Sequence, residues 1–378
     1  VTGPLLSELT TSRVGGPAER VLAPATRREL VETARELFDS REPFLIVGGG
    51  SNLIVADEGF EGAVLRIVTR GVELADLTRD DAGSVVIRVE AGEPWADLVD
   101  ATVARGWSGL EALAGIPGCA GAAPVQNIGA YGQEVSRVLR RVEFLDAESG
   151  ELAWLDAAEL ELGYRSSLIK HGELRGLVTR IELELIELSP EHEAVDEGAP
   201  VQYAQLAKAL GVEVGDRVPA ARIRDAVLRL RRSKGMVLDP GDPDSVSTGS
   251  FFVNPVVSRS FAVGLPEEAP RFEAPHAPDG TPLVKLSAAW LIEHAGVRRG
   301  FSLPGSGAAI SSKHTLAIVN RDDATAEQIV ELSPENEAAD EGAPVRYAQL
   351  AKALGVELGD RVPAGRIRDA VIRLRASK

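Results

Sequence analysis

The sequence predicts a mixed α+β protein, and three observations carry that prediction. A capping box opens an amphipathic helix, an apolar strand ends in three consecutive glycines, and a second strand and helix follow. The capping box is Thr26-x-x-Glu29, after which Leu30, Ala34, Leu37 and Phe38 recur at helical spacing. Phe44-Leu45-Ile46-Val47 then reads as a buried strand running into Gly48-Gly49-Gly50-Ser51-Asn52. Val85 to Val89 reads as the next strand. Pro94 opens a helix through Val103, and Gly106 closes it.

Composition narrows the classes. Hydrophobic residues make up 44% of the 378 positions, which fits a globular chain with a buried core. A formal net charge of −16 opposes general binding to nucleic acid or to an anionic membrane, although local charge still decides the binding of a small anion. Cys119 is the single cysteine, so no disulfide closes within the chain and a reducing, cytoplasmic setting is expected. Val1-Thr2-Gly3-Pro4 lacks the layout of a signal peptide. From Ala112 to Gln133 the chain is uncharged over nearly the length of a membrane span, yet it holds five glycines and two prolines, which argue against a spanning helix. His171, His192, His276, His294 and His314 show no paired metal spacing; they read as surface or packing residues, and no metal site is expected.

An internal repeat organises the second half. Glu187 to Lys234 and Glu331 to Lys378 align without a gap at an offset of 144 and differ at seven positions, among them His192/Asn336, Val214/Leu358 and Leu228/Ile372. Two copies separated by unrelated sequence are a duplicated segment and not a solenoid. Each joins an acidic lead to two helical stretches, around Tyr203-Ala-Gln-Leu and Ala221 to Arg232 in the first copy.

Three glycines after a strand let backbone approach a ligand and offer N–H groups to phosphate oxygens. The spacing is not the dinucleotide fingerprint, since Leu53 stands at the sixth position from Gly48, and no Gly-Lys-Ser/Thr follows to make a P-loop. An ordinary tight turn would use the same residues. Ile116-Pro117-Gly118 through Gln126-Asn127-Ile128-Gly129-Ala130-Tyr131-Gly132 is small, uncharged and too irregular for a helix. Such backbone can lie against a large planar cofactor, with Gln126 and Asn127 supplying amide hydrogen bonds. Buried for its own sake, it would leave polar groups in need of partners.

These segments, with Thr11-x-Arg13-Val14-Gly15-Gly16-Pro17-Ala18, resemble the FAD-binding half of the MurB family, the UDP-N-acetylenolpyruvoylglucosamine reductases. Gly163-Tyr164-Arg165-Ser166-Ser167, Gly249-Ser250-Phe251-Phe252-x-Asn254-Pro255 and Ser287-Ala288-Ala289-Trp290-Leu291-Ile292 continue the match in family order, over roughly residues 5 to 330. The resemblance implies the two-lobed FAD fold shared with the vanillyl-alcohol oxidase group. It places FAD-binding lobes over 1–70 and 71–186, a helical substrate-loop segment over 187–234, a smaller α+β substrate domain over 235–330, and the duplicated helical copy over 331–378. It implies non-covalent FAD, NADPH as reductant, and reduction of UDP-N-acetylglucosamine enolpyruvate to UDP-N-acetylmuramate, a peptidoglycan precursor, by a cytoplasmic monomer.

On this resemblance Gly48, Gly49, Gly50, Ser51, Asn52, Ile116, Pro117, Gly118, Gln126, Asn127, Gly129 and Ala130 bind the cofactor. Tyr164, Tyr203, Lys234 and Asn254 hold the substrate. Arg165 is the cation that favours the electron-rich reduced flavin, and Ser250 is the proton donor to the carbon beside the substrate carboxylate. Without the resemblance these would read as a surface arginine, a strand-edge serine and packing tyrosines. An unactivated hydroxyl is a poor acid, so Ser250 requires a neighbour that lends it acidity.

The carboxy-terminal part departs from the family. Members follow Thr315-Leu316-Ala317-Ile318-Val319-Asn320 with a long helix and a final strand, whose Leu-x-Pro-Glu carboxylate works with the serine. Here Thr325-x-x-Gln328 caps a helix that Ser333-Pro334 breaks within about two turns. Leu332-Ser333-Pro334-Glu335 resembles the missing motif but has a twin at Leu188 to Glu191, so the role is not transferred to Glu335. The expectation is a reductase whose carboxylate is absent or replaced. The alternatives are a flavin- or nucleotide-binding protein of impaired turnover, and an FAD oxidase of the wider fold. The last is disfavoured because no His or Cys stands where covalent flavin attachment is expected. The first lobe should expose a sheet edge that a helical second copy cannot cover.

Overall fold

The computed structural model describes residues 3–40, 42–75, 83–187, 198–277 and 279–332, together with the backbone of 343–344 and 361–362. β1 (Ala18–Leu22), β2 (Phe44–Val47) and β3 (Phe60–Arg66) form a parallel sheet in the order β1-β3-β2, with α1 (Arg27–Asp39) crossing between the first two. The capping box closes in both directions: Glu29 N–H donates to Thr26 Oγ1 at 3.2 Å and Thr26 N–H to Glu29 Oε2 at 3.1 Å. Leu30, Ala34 and Leu37 then bury one helix face against Ala63, Leu65 and Ile67. β2 departs from its sequence reading. Only Val47 is buried, because β2 is an edge strand whose Ile46 and Val47 line a cavity.

A larger sheet follows. Its elements in chain order are β4 (Val72–Leu74), β5 (Ser84–Glu90), α2 (Trp95–Ala104), β6 (Trp107–Ser108), the hairpin β7 (Gly129–Ala130) and β8 (Gln133–Glu134), β9 (Leu139–Asp146), β10 (Leu152–Asp156), α3 (Leu168–His171) and β11 (Gly176–Glu187). Six strands pair antiparallel, in the order β10-β9-β11-β5-β4 with β6 on the far end of β11. Period-two alternation divides the faces. Ile87, Val89, Val142, Phe144, Ile181 and Leu183 pack with Trp95, Leu98 and Val99 of α2 on one side. On the other, Arg180 stands opposite Glu143 in the ladder, and Glu182 lies between Arg88 and Arg141. The uncharged run from Ala112 to Gln133 folds between these strands as short 3-10 turns and the β7/β8 hairpin. Among the described residues no helix is long and apolar enough to cross a membrane.

The first copy of the repeat forms a small module of β12 (Ala199–Pro200), α4 (Ala204–Leu210), β13 (Arg217–Val218) and α5 (Ala220–Arg232). β12 pairs with β13, and Leu206, Ala207, Ile223 and Val227 join the core beneath α2. Next come β14 (Val256–Ser258), α6 (Arg259–Val263), β15 (Arg271–Glu273), β16 (Leu283–Leu286), α7 (Ala288–His294), the hairpin β17 (Ala308–Ile310) and β18 (Ile318–Asn320), and α8 (Ala326–Glu331). α6 and α7 back the antiparallel sheet β14-β16-β15. α8 carries the capping box predicted at Thr325 and Gln328 and ends before Ser333-Pro334. Its first amides, those of Ala326 and Glu327, donate to the Asp57 carboxylate at 2.7 and 3.1 Å.

In the second copy β19 (Ala343–Pro344) pairs with β20 (Arg361–Val362), the same ladder as β12 with β13. The helices expected there lie outside the described residues. Among the described residues no fourth strand joins β1-β3-β2.

Candidate active site

The two glycine-rich segments pack against each other and frame a cavity of about 400 Å³. Gly48 through Leu53 and Ile116 through Gly118, with Gln126, form its walls together with Ile46, Trp95 and Ile169. Ser51 Oγ donates to the Pro117 carbonyl at 3.0 Å. A Cβ at Gly49 would lie 2.7 Å from Gly118 Cα, and one at Gly48 would lie 2.6 Å from Cys119 Sγ. Glycine is needed at these two positions first because the segments meet there. A second cavity of about 310 Å³ opens beyond Gly48 and Gly49, where Thr11, Arg13 and Arg66 face Leu238 and Val246. The larger cavity has apolar walls, glycine backbone and no carboxylate in its lining. These walls fit FAD, whose rings need apolar contact and whose phosphates need N–H donors.

Asn127 departs from its predicted role. Its side chain is buried, its φ is 44°, and its amide is committed within the protein. Nδ2 donates to the Gly163 carbonyl at 3.0 Å and Oδ1 accepts from Ser136 N–H at 3.1 Å. Asn127 therefore ties the glycine segment to the turn that carries Tyr164 and Arg165, and it does not offer its amide to a cofactor. Gly129 and Ala130 form β7 and are not in the lining of the larger cavity. The Arg165 guanidinium donates to the carbonyls of Asn127, at 3.1 Å, and Gly129. A Cβ on Gly129 would come within 3.0 Å of Arg165 Nη1.

Positive charge continues from Arg165. Arg231, in the last turn of α5, is buried; Nη2 donates to the Met236 carbonyl at 2.9 Å, while Nε has no partner among the described residues. Burial lowers its pKa to about 10, and the charge of Arg165 acts in the same direction. Lys234 is half-buried, donates to Gln205 Oε1 at 3.1 Å and lies 5.6 Å from the Tyr131 ring centre. Burial and then Arg231 lower its pKa. Tyr131 meets Tyr203 edge-to-face at 5.8 Å. Ser250 is exposed, with Oγ 3.3 Å from His314 Nε2. Burial, followed by Lys234, Arg231 and Arg299, lowers the His314 pKa to about 4, so its imidazole is neutral at neutral pH.

Among the described residues no carboxylate pairs with Arg165, Arg231 or Lys234. A buried cation without a counter-charge is costly, and an anionic ligand removes that cost.

Tyr164 is exposed, 5.5 Å from Arg165 and 5.2 Å from Lys285. Tyr203 stands at the N-cap of α4, also exposed. Asn52 is exposed at the end of the glycine turn. Asn254 Oδ1 accepts from Ala288 N–H at 2.9 Å and so sets the start of α7. Sequence reasoning missed two residues. Arg231 precedes Lys234 by three positions, in the last turn of α5 just before the turn that carries Lys234. His314 was grouped with surface and packing histidines, although it adjoins the Thr315–Asn320 segment and contacts Ser250.

Two family profiles match the chain. One is described as FAD binding domain and covers residues 18–156; the other, UDP-N-acetylenolpyruvoylglucosamine reductase, C-terminal domain, covers residues 242–338. The second match runs a few residues into the second copy. The UDP-N-acetylenolpyruvoylglucosamine reductase of Leifsonia xyli subsp. xyli is 55% identical, over 87% of this chain and 92% of its own. That of Streptomyces coelicolor is 46% identical, over 87% and 83%. The crystal structure of UDP-N-acetylenolpyruvylglucosamine reductase (MurB) from Thermus caldophilus matches with a TM-score of 0.56 at 30% identity, covering 87% of this chain and 91% of that one. The chain belongs to the UDP-N-acetylenolpyruvoylglucosamine reductase family, a family of FAD-dependent oxidoreductases.

Proposed function

We propose that the chain reduces UDP-N-acetylglucosamine enolpyruvate to UDP-N-acetylmuramate with NADPH as reductant, acting as a cytoplasmic monomer. Buried Arg231 carries the reading, because among the described residues its Nε is unpartnered, and its charge and that of Lys234 act on neutral His314, which contacts Ser250. Residues 1–70 and 71–186 serve as the cofactor lobes, 187–234 as the substrate loop and 235–330 as the substrate domain. Relay of hydride from NADPH to the far carbon of the enol ether is the chemistry that FAD supplies when bound.

The chain's own residues do the rest. Gly48 to Asn52 and Ile116 to Gly118 hold the cofactor, and Arg165 sets positive charge beside it. Arg231 and Lys234 hold the substrate's anionic groups, with Tyr164 and Tyr203 at the exposed rim. Ser250 gives its proton to the carbon beside the substrate carboxylate. The alkoxide left behind is stabilised by the field of Lys234 and Arg231 and by its contact with His314, and solvent restores the proton. This supplies the acidity that a bare hydroxyl lacks.

The test is an anaerobic spectral titration of the purified protein. NADPH should bleach the flavin absorbance, and the enolpyruvyl sugar nucleotide should restore it. Bleaching without restoration would support a flavin-binding protein of impaired turnover. Absence of acid-releasable flavin from protein made with ample riboflavin would overturn both readings.

A further inference from the structure

We infer that the seat filled by β12, α4, β13 and α5 also accepts the carboxy-terminal copy of the same chain, as a weaker competitor within one molecule. The seat belongs to the core beneath α2 and the turn at Glu111–Leu113. Every buried side chain of the first copy between Ala199 and Arg231 recurs unchanged 144 residues later. Of the described positions that differ, Gln202, Val214, Ala221 and Arg232 are exposed and Leu228 is half-buried. Divergence has therefore spared the fully buried side chains that the seat reads and touched only its margin, at Gln202 and Leu228. The ladder is spared as well, since Ala343 pairs with Val362 as Ala199 pairs with Val218.

Three differences make the second copy the weaker occupant. Gln202 accepts a hydrogen bond from Arg137, whereas its twin Arg346 would set a second guanidinium there. Ala221 lies in the first turn of α5, and its twin Gly365 has lower helix propensity. Leu228 packs at Gly115, and its β-branched twin Ile372 has a different shape. A short linker that spans the two sites gives millimolar effective concentration, which is why the exchange is assigned within a chain and tested as such. Exchange preserves the cations, since Arg375 and Lys378 are the twins of Arg231 and Lys234.

Asp100 of α2 lies 3.5 Å from Arg224 of α5, and the twin of Arg224 is Arg368. The native Cys119 is buried, so a short bis-maleimide reads engineered pairs in the full-length, flavin-loaded protein. Asp100→Cys with Arg224→Cys should crosslink almost fully. Asp100→Cys with Arg368→Cys should give a minor product of monomer mass, and adding Gln202→Arg should raise it about two- to threefold. Failure of that product to form would overturn the inference. So would a yield unchanged by Gln202→Arg, or one matched by Glu32→Cys with Arg368→Cys on the unrelated helix α1. A product of dimer mass would move the exchange to a second molecule and overturn the within-chain assignment.

Discussion

Arg180 and Arg231 are both largely shielded from water, yet Arg180 lies 2.7 Å from Glu143 and Arg231 meets no carboxylate among the described residues. Around Arg180 the pattern is general. Glu143 accepts from Arg27, Arg180 and Thr179, and these bonds outweigh burial to hold its pKa at about 2. Glu182 takes Arg88 and Arg141 at 2.7 and 2.6 Å, and the Trp154 ring lies 4.6 Å from Arg141. Among the described residues, Arg165, Arg231 and Lys234 have no such partners. Similar side chains therefore serve two ends: paired, they close a sheet face; unpaired, they hold affinity in reserve for an anion.

Four measurements would sharpen or break that contrast. Arg231→Met should lower kcat/KM for the enolpyruvyl substrate by about 10²–10³-fold, while the ligand-free protein melts at the same temperature or higher. A lower melting temperature with unchanged turnover would make Arg231 a structural residue. Ser250→Ala should slow substrate-driven flavin reoxidation by about 10²-fold and leave reduction by NADPH nearly intact; equal slowing of both half-reactions would remove the serine from proton transfer.

Arg180→Met should show the reverse profile, losing about 2 kcal/mol of stability in urea because Glu143 keeps only part of its pairing, with turnover retained. A matching loss of turnover would erase the distinction between the two groups. The smallest effect is a pH dependence. The His314 pKa is lowered from 6.5 to about 4, so its stabilising contribution is complete above pH 6.5 and is lost as pH falls toward 4. Glu143, lowered from 4.5 to about 2, contributes above pH 4.5 and fails only toward 2. His314→Gln should therefore flatten the stability curve between pH 6.5 and 4.5, a window that Glu143→Gln leaves unaltered.

The legible features were the local ones. Thr26 and Glu29 announce α1 because both capping bonds span three residues, and Ser333-Pro334 announces the end of α8. The exposure of β2 was not legible, since sheet order is decided by strands far apart in the chain. Asn127 was misread because its partner Gly163 lies 36 positions away and its left-handed backbone leaves no mark in composition. His314 and Ser250 meet across 64 positions, so their contact is a property of the tertiary fold and not of either motif.

α8 has six residues, too few to persist as an isolated helix, and Asp57, distant in sequence, grips its first two amides. That grip fixes the direction of the backbone at Leu332. A protein engineer could treat Leu332 as a splice point, because an added domain would start from a defined direction and leave the cavity walls untouched. Asp57→Ala would turn the same junction into a loose hinge, with reach gained and orientation lost.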